Sequence, residues 1–581
     1  MNSRESDTPP RPKRLAGNWK GTPYWLLLAG TLALGFYLVN AVHFAKEPLR
    51  IEESEWPPMA KAIYETGEPV INYDETHRVR YDENLEVDQG QMIGAWHPPL
   101  YLYTAGAAMV VLGESPNRIR AVGMVSFLCA VVLMLLIARE VTPRWRLIGG
   151  VAAILLLIHP FAIQGSVFLD IDTQLYAAVV MLAIWTAIRL AKRQEALGPA
   201  QVLAIGATLA LVTWTKMTTT IVLVGVLAAW WVLSRRPFRR SLLEAVAFVA
   251  TGAALFYVTY SLWCRLTDTP FSYTFEVTFA QKSDRLLSNF LVVEHAMHWH
   301  LRWFGAALLI LALIYLVDLL RNLVAERQLR PLDLPYLFGL GVLVTYVFLS
   351  PTDGTYQGKY AFPALVAMVL PITWMLLRKS SEQKLRPLLW PAAIAIGVAA
   401  MLIVGDQITG LAEFNVNYGS WNHEIRLGLI AAVALGLAWF LGGRRGFAGG
   451  AIVVLGLLLV SQAVHSYRAN TSPMYPIPDT GDFLAAVNDL NQSTPKGDIV
   501  IAPKDMGFYV KGLVVEGEDA FARGDARTAA AIRRYPRITA FARDSFGPPV
   551  GPETEALLQR CFKEERVYGS ASIRYRTKRC G

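Results

Sequence analysis

The chain has 581 residues, of which 54% are apolar and 17% charged, and its mean hydropathy is +0.34. Length alone suggests about three or four soluble domains, but apolar runs long enough to span a bilayer recur from Pro23 to Ser466, which excludes that reading and predicts a polytopic membrane protein. The formal charge of +9 is not a nucleic-acid signature, because Lys and Arg cluster in short loops between apolar runs, and four cysteines are too few for a disulfide framework.

The N-terminus, MNSRESDTPPRPKR, is Pro-rich and basic and lacks the apolar core and small-residue cleavage site of a removable signal. Residues 1–22 therefore read as a cytoplasmic tail, and Pro23–His43 as an uncleaved first span. The next loop opens with Glu52, Glu53 and Glu55 and closes with His97-Pro98-Pro99. Carboxylates crowded at a membrane interface repel one another and are costly to desolvate. They form either a solvated acidic loop or part of a site.

His97–Gly113 is apolar enough to count as a span, but the basic loops decide against it. Arg139, Arg144 and Arg146 should be cytoplasmic, as should Arg189, Lys192 and Arg193. Only one crossing fits before Arg139, and Ala121–Ala138 is the better one. The first external loop then covers 45–118, with His97–Gly113 as a helix at the interface, begun by its double proline.

The spans that follow are Leu147–Gly165, Gln174–Leu190, Pro199–Trp214, Met217–Leu233, Leu243–Trp263, Trp303–Leu320, Leu334–Ser350, Ala361–Leu377, Pro391–Val404, Arg426–Leu441 and Gly449–Ser466. They alternate without strain and bring the total to about thirteen crossings in a membrane unit of residues 23–466. From 467 to 581 the composition becomes that of a linker and a small soluble α/β domain on the external side. Helical periodicity marks Phe483–Leu490 and Glu553–Cys561, DIVIAPKDMGFYV reads as a buried strand with a turn, and ERVYGSASIRYR as one or two late strands. Cys129 reads as a packing residue inside a span, and Cys561 and Cys580 as bridge partners if that domain is external. Asn470-Thr471-Ser472 and Asn491-Gln492-Ser493 are glycosylation acceptors only in a suitable secretory setting.

Four further stretches carry candidate chemistry. In VFLDIDTQL, Asp170 and Asp172 either cap the following helix or form an acidic site, and an Asp-x-Asp pair is a weak hint of a metal. In TWTKMTTT, Lys216 interrupts apolar sequence, either as a snorkelling side chain or as a partner for phosphate. Glu294, His295, His298 and His300 read as interface packing rather than a metal site, since no second strong ligand motif accompanies them. In SPTDGTYQGKYAFP, Lys359 and Tyr360 are either interfacial anchors or a phosphate-holding step.

The order of these pieces resembles the membrane glycosyltransferases of fold class C, in particular the lipid A aminoarabinose transferases and the protein O-mannosyltransferases. The family's Asp-Glu pair after the first span falls on Glu52-Glu53, with Glu where Asp is usual, which leaves open which of the two is catalytic. Its aromatic, Ala and Gly fall on Trp56, Ala60 and Gly67, and its Lys- or His-Pro-Pro-Leu on His97 to Leu100. The acid of its second external loop falls on Asp170, its Thr-Lys step on Lys216, and its basic-Tyr-Leu-Pro step on Lys359, Tyr360 and Pro363.

The resemblance implies a mainly α, polytopic class C fold with a small C-terminal extracytoplasmic α/β domain. It implies transfer of a sugar from a polyprenyl-phosphate donor to a lipid, glycan or protein acceptor at the outer face of a bacterial inner membrane, with inversion. Glu52, Glu53, Asp170 and Asp172 are the expected catalytic acids. Lys216, Lys359, Tyr360, His97 and Arg302, with Arg265, are expected to hold the donor phosphate. A divalent cation (Mg or Mn) is left open at Asp170 and Asp172, since the class includes both kinds. A transporter or flippase predicts repeats and ionisable groups near the midplane; no repeat is visible, and the charges sit at outer span ends. A structural or assembly protein predicts loop acids that do not face one cavity.

Overall fold

The computed structural model describes residues 24–49, 306–349 and 358–378, almost all of 97–275, most of 480–579, and short stretches between 53 and 93. Among them, six helices are long and apolar enough to cross a membrane, or seven if one bent pair counts as a span. The last three expected spans, from Pro391 onward, lie outside the described residues apart from Gly450, so the total of thirteen is neither met nor refuted.

Proline starts many of the helices, because at the first helical position its missing N–H is no loss and its φ is already helical. It does so in α4 (Pro116–Val141), α6 (Pro160–Val167) and α8 (Pro199–Thr215). The same chemistry breaks an expected span. Leu147–Gly165 is not one helix: α5 (Trp145–Ile158) ends before Pro160 and meets α6 at 68°. A proline inside the run removes a backbone donor and crowds the carbonyl four residues back.

The remaining expected spans are found as single helices: α1 (Tyr24–Ala45), α7 (Gln174–Ala191), α9 (Met217–Ser234), α10 (Phe238–Leu266), α11 (Ala306–Glu326), α12 (Asp333–Leu349) and α13 (Phe362–Leu377). Helix α13 is buried on all sides and packs on α5, α7, α11 and α12. Helices α1 and α10 lie at the periphery and expose Leu28, Val39, Val258 and Leu262, the surface that lipid covers in a spanning protein. Cys129 is exposed on α4 and so is not a packing residue. Helices α8 and α10 touch at a glycine pair, where a Cβ on Gly206 would come within 2.7 Å of Thr251.

The first loop folds onto the ends of these helices. Helix α2 (Trp56–Thr66) leads to two short antiparallel pairs, β1 (Val70–Asn72) with β4 (Gln91–Ile93) and β2 (Arg80–Tyr81) with β3 (Val87–Asp88). Helix α3 (Leu100–Leu112) packs on α2 and α4, and its exposed Val110, Val111 and Leu112 suit the interfacial helix expected there.

The C-terminal part is an α/β unit with a five-stranded mixed sheet in the order β6-β5-β7-β9-β8. The strands are β5 (Ile499–Ala502), β6 (Leu513–Glu516), β7 (Ile538–Arg543), β8 (Glu564–Tyr568) and β9 (Ala571–Tyr575), flanked by α14 (Thr480–Ser493), α15 (Asp525–Arg534) and α16 (Pro552–Cys561). Asp525 accepts the backbone N–H groups of Glu553 and Thr554 at 2.7 and 3.0 Å, so a side chain of α15 satisfies the first turn of α16. Elements β6, α15 and β7 had no counterpart in the sequence reading. Cys561 is disulfide-bonded and Cys129 and Cys264 are free; Cys580 lies outside the described residues. The Asn491 amide donates to the Tyr509 carbonyl and accepts the Lys511 N–H, so it fastens a loop rather than offering a glycosylation acceptor.

This unit does not stand apart from the membrane helices. Trp56, Met59, Ile63, Tyr101 and Leu102 of α2 and α3 form one apolar cluster with Ile499, Ile532, Phe541 and Leu557. The Tyr509 hydroxyl accepts the Leu49 N–H at 3.0 Å, just past the end of α1. The sheet therefore roofs the first loop.

Candidate active site

Beneath that roof, two acids far apart in sequence come together. Glu53 and Arg120 are each 1% exposed and form a two-point pair, with Nε to Oε1 at 3.1 Å and Nη2 to Oε2 at 2.5 Å. The backbone N–H of Leu169 donates to the same Glu53 Oε1 at 2.9 Å. Arg120 also donates to the carbonyls of Ala45 and Pro48 at 3.1 and 3.0 Å, and to that of Glu47. The pair thus ties the end of α1, the first loop and the segment before Asp170 into one body.

Asp170 follows directly and is fully buried. Its Oδ2 accepts Lys359 Nζ at 2.8 Å and the Trp56 indole N–H at 3.3 Å. The side chain therefore does not cap α7; the N-cap residue of that helix is Thr173, whose hydroxyl donates to the Asp170 carbonyl at 2.9 Å. Tyr101 packs edge-on to Trp56 with ring centroids 6.3 Å apart. Burial, and then the nearby Asp170 and Glu53 carboxylates, hold the Tyr101 phenol well above its ordinary pKa, so it stays protonated.

Lys216 occupies the joint between α8 and α9 and is 1% exposed, so it does not snorkel to solvent. Its ammonium lies 4.8 Å from the Tyr360 ring and 5.4 Å from that of Tyr346. Those rings are stacked at 4.2 Å, and Lys359 lies 5.3 Å from Tyr360. Cation–π contact stabilises a buried ammonium without neutralising it. Lys359 and Tyr360 sit on a single 3₁₀ turn, Gly358–Ala361, at the foot of α13.

Glu53, Asp170, Lys216, Lys359 and Tyr360 thus share one neighbourhood. His97 is half-buried just before α3. Arg265 is exposed in the last turn of α10, outside the buried cluster. Glu52, Asp172, Arg302, Glu294, His295, His298 and His300 lie outside the described residues. Arg120 was missed because it borders an apolar run, where an arginine reads as a loop charge. Its one signal is that it sits on the outer side of the expected first return span, against the positive-inside trend. Among the described residues no three His, Cys, Asp or Glu side chains gather to hold a metal, and the Asp170 oxygen meets an ammonium rather than a second acid.

Residues 96–263 match the family model of dolichyl-phosphate-mannose-protein mannosyltransferases. Among solved structures, the chain is similar to ArnT from Cupriavidus metallidurans bound to undecaprenyl phosphate, with a TM-score of 0.56 at 15% identity over 95% of this chain and 98% of that one. The apo state of the same protein gives 0.53 at 14% identity over 95% and 97%. The apo oligosaccharyltransferase of Archaeoglobus fulgidus gives 0.50 at 12% identity over 90% and 70%. No curated protein matches the chain in sequence. The chain has the polytopic helical fold of the class C membrane glycosyltransferases with a small C-terminal sheet, as the motifs implied.

Proposed function

We propose that the protein transfers a sugar from a polyprenyl-phosphate carrier to an acceptor at the extracytoplasmic face of a bacterial inner membrane, with inversion at the sugar carbon. The observation that carries this reading is the buried Asp170–Lys359 pair beside Lys216 in a chain of this fold. Glycosyl transfer from a lipid phosphate needs cations where the leaving phosphate gains charge, and a carboxylate near the oxocarbenium-like centre or the attacking group. Lys359 and Lys216 meet the first need. An arriving phosphate competes with Asp170 for the Lys359 ammonium, and the exchange leaves the Asp170 carboxylate available as base or electrostatic stabiliser.

Glu53 has both oxygens engaged by Arg120 and one also by a backbone N–H, which makes it a strut that positions Asp170. The base role expected of the first loop then falls to Glu52, with Asp170 as the second acid. The acceptor is a lipid, glycan or protein.

The transport reading finds one supporting feature in the discontinuous α5–α6 pair. The test separates the two. Full-length protein in nanodiscs is given undecaprenyl phosphate bearing a radiolabelled pentose or hexose, and release of undecaprenyl phosphate is measured with envelope lipid, glycan and protein as acceptors. Turnover is expected, and Asp170→Asn should lower it by roughly 100-fold or more. Movement of intact donor across the bilayer with no release of the carrier would overturn the transferase reading.

A further inference from the structure

Next to the two lysines lies a cluster of hydroxyls that no step above employs. Tyr176 is in the first turn of α7, Thr218 and Thr219 are in the first turn of α9, and Tyr346 is in the last turn of α12. The Tyr176 hydroxyl lies beside Thr219, and that of Tyr346 lies beside Thr218 and near Tyr176. All four oxygens are shielded from solvent, and none makes a hydrogen bond of normal geometry. Tyr176 is 0% exposed, and Thr219 and Tyr346 are 2% exposed.

Threonines in helices usually close on the carbonyl four residues back. Thr215 and Thr373 do so, at 3.1 and 2.8 Å. Thr218 and Thr219 stand too near the start of α9 to find such a carbonyl within their own helix. Leaving a buried hydroxyl unpaired is unfavourable, and even with Tyr176 turned to Thr219 and Tyr346 to Thr218 each hydroxyl keeps a donor or acceptor site for a further partner. The N–H groups of the first turn of α9 also lack partners within that helix. The arrangement is built to be completed by something that both donates and accepts hydrogen bonds.

The neighbours narrow the ligand. Hydroxyls that donate and accept match the hydroxyls of a sugar ring, whereas a phosphate is better met by the adjacent ammonium groups. Lys216 sits against the Tyr346 ring whose hydroxyl belongs to the cluster, so phosphate and hydroxyl sites adjoin.

We infer that Tyr176, Thr218, Thr219 and Tyr346 form the subsite that binds the hydroxyls of the donor sugar. This inference rests on the carrier-lipid reading above, and it names residues that set which sugar is taken. A site built to hydrogen-bond hydroxyls rejects analogues that lack them, because its own groups are left unpaired.

The test measures binding of full-length protein in nanodiscs to undecaprenyl phosphate and to undecaprenyl phosphate bearing glucose, mannose or arabinose. Wild type should bind at least one sugar-bearing lipid more tightly than the bare lipid. The double variant Thr219→Val/Tyr346→Phe should weaken that binding tenfold or more and change bare-lipid binding less than twofold. Equal losses for both lipids, or no loss for either, would overturn the subsite while leaving the carrier-lipid reading intact. Failure of wild type to bind any of these lipids would sink that reading and this inference with it.

Discussion

Helices α12 and α13 carry a polar cluster at each end, and the two clusters differ in kind. At the Asp333 and Arg378 end, every carboxylate oxygen has a donor. Asp318 accepts Arg378 and Arg330, each at 2.6 Å. Asp333 accepts the Tyr315 hydroxyl at 2.8 Å and the Arg330 backbone N–H at 2.7 Å. The two guanidinium groups also lie 5.2 and 4.6 Å from the Trp374 ring. At the other end, two ammonium groups lean on tyrosine rings, one carboxylate serves one of them, and four buried hydroxyls keep hydrogen-bonding capacity to spare. A cluster whose carboxylates are all engaged by charged donors fastens helices together. One with capacity left over is suited to bind something.

The Glu53–Arg120 pair tests that contrast most sharply, because it is of the filled kind yet sits at the open end. Removing one member of a buried pair strands the other charge, so Arg120→Met should cost about 3–5 kcal/mol. Thermal unfolding in detergent should show this, and transfer activity should disappear with it. Arg120→Met/Glu53→Leu should regain much of the stability and little of the activity, because Leu169 and Asp170 lose their anchor. A double variant with full turnover would show that the pair does not position the site.

A smaller effect is expected at the filled end. Arg330→Met should lower stability by about 1–3 kcal/mol, and turnover per folded molecule should stay within threefold of wild type. A selective drop in turnover at unchanged stability would break the division of labour between the two ends.

The smallest effect concerns the C-terminal unit, whose carboxylates titrate. Burial pushes Asp489 up, but hydrogen bonds from Tyr575 and Tyr568 and the Arg566 charge bring it below its ordinary value. Burial likewise raises Glu555, while Arg574 and Gln559 lower it further, to a net depression. A depressed folded-state pKa contributes stability that is complete above the unfolded values of about 3.9 and 4.3 and is lost as pH falls through the folded ones. Amide exchange of β8 and β9 in the full chain should therefore accelerate below about pH 4, with α12 and α13 protected longer. Simultaneous loss in both regions would mean that the two units unfold as one.

Much was legible in the sequence because much is local. Span length and apolarity are sums over adjacent residues, and they located the single helices expected as spans between α1 and α13 to within about six residues at either end. They failed at α5–α6, where Pro160 overrides a run that is apolar throughout. Asp170, Lys216 and Lys359 were legible because a charge in apolar sequence demands a reason. Arg120 was not, because it borders such a run instead of interrupting it. Elements β6 and β7 were missed because a strand of four to six residues has too few alternations to stand out in sequence.

By itself, the sequence determined that this is a spanning protein, where most of its helices begin, and which isolated charges need partners. Only the tertiary structure decided who the partners are. Lys359 reaches Asp170 across 189 residues, and Arg120 reaches Glu53 across 67. The same packing gathered four buried hydroxyls from three helices around the two lysines. Hydropathy is additive along the chain, whereas a hydrogen bond depends on distance and angle between groups that only helix packing brings together.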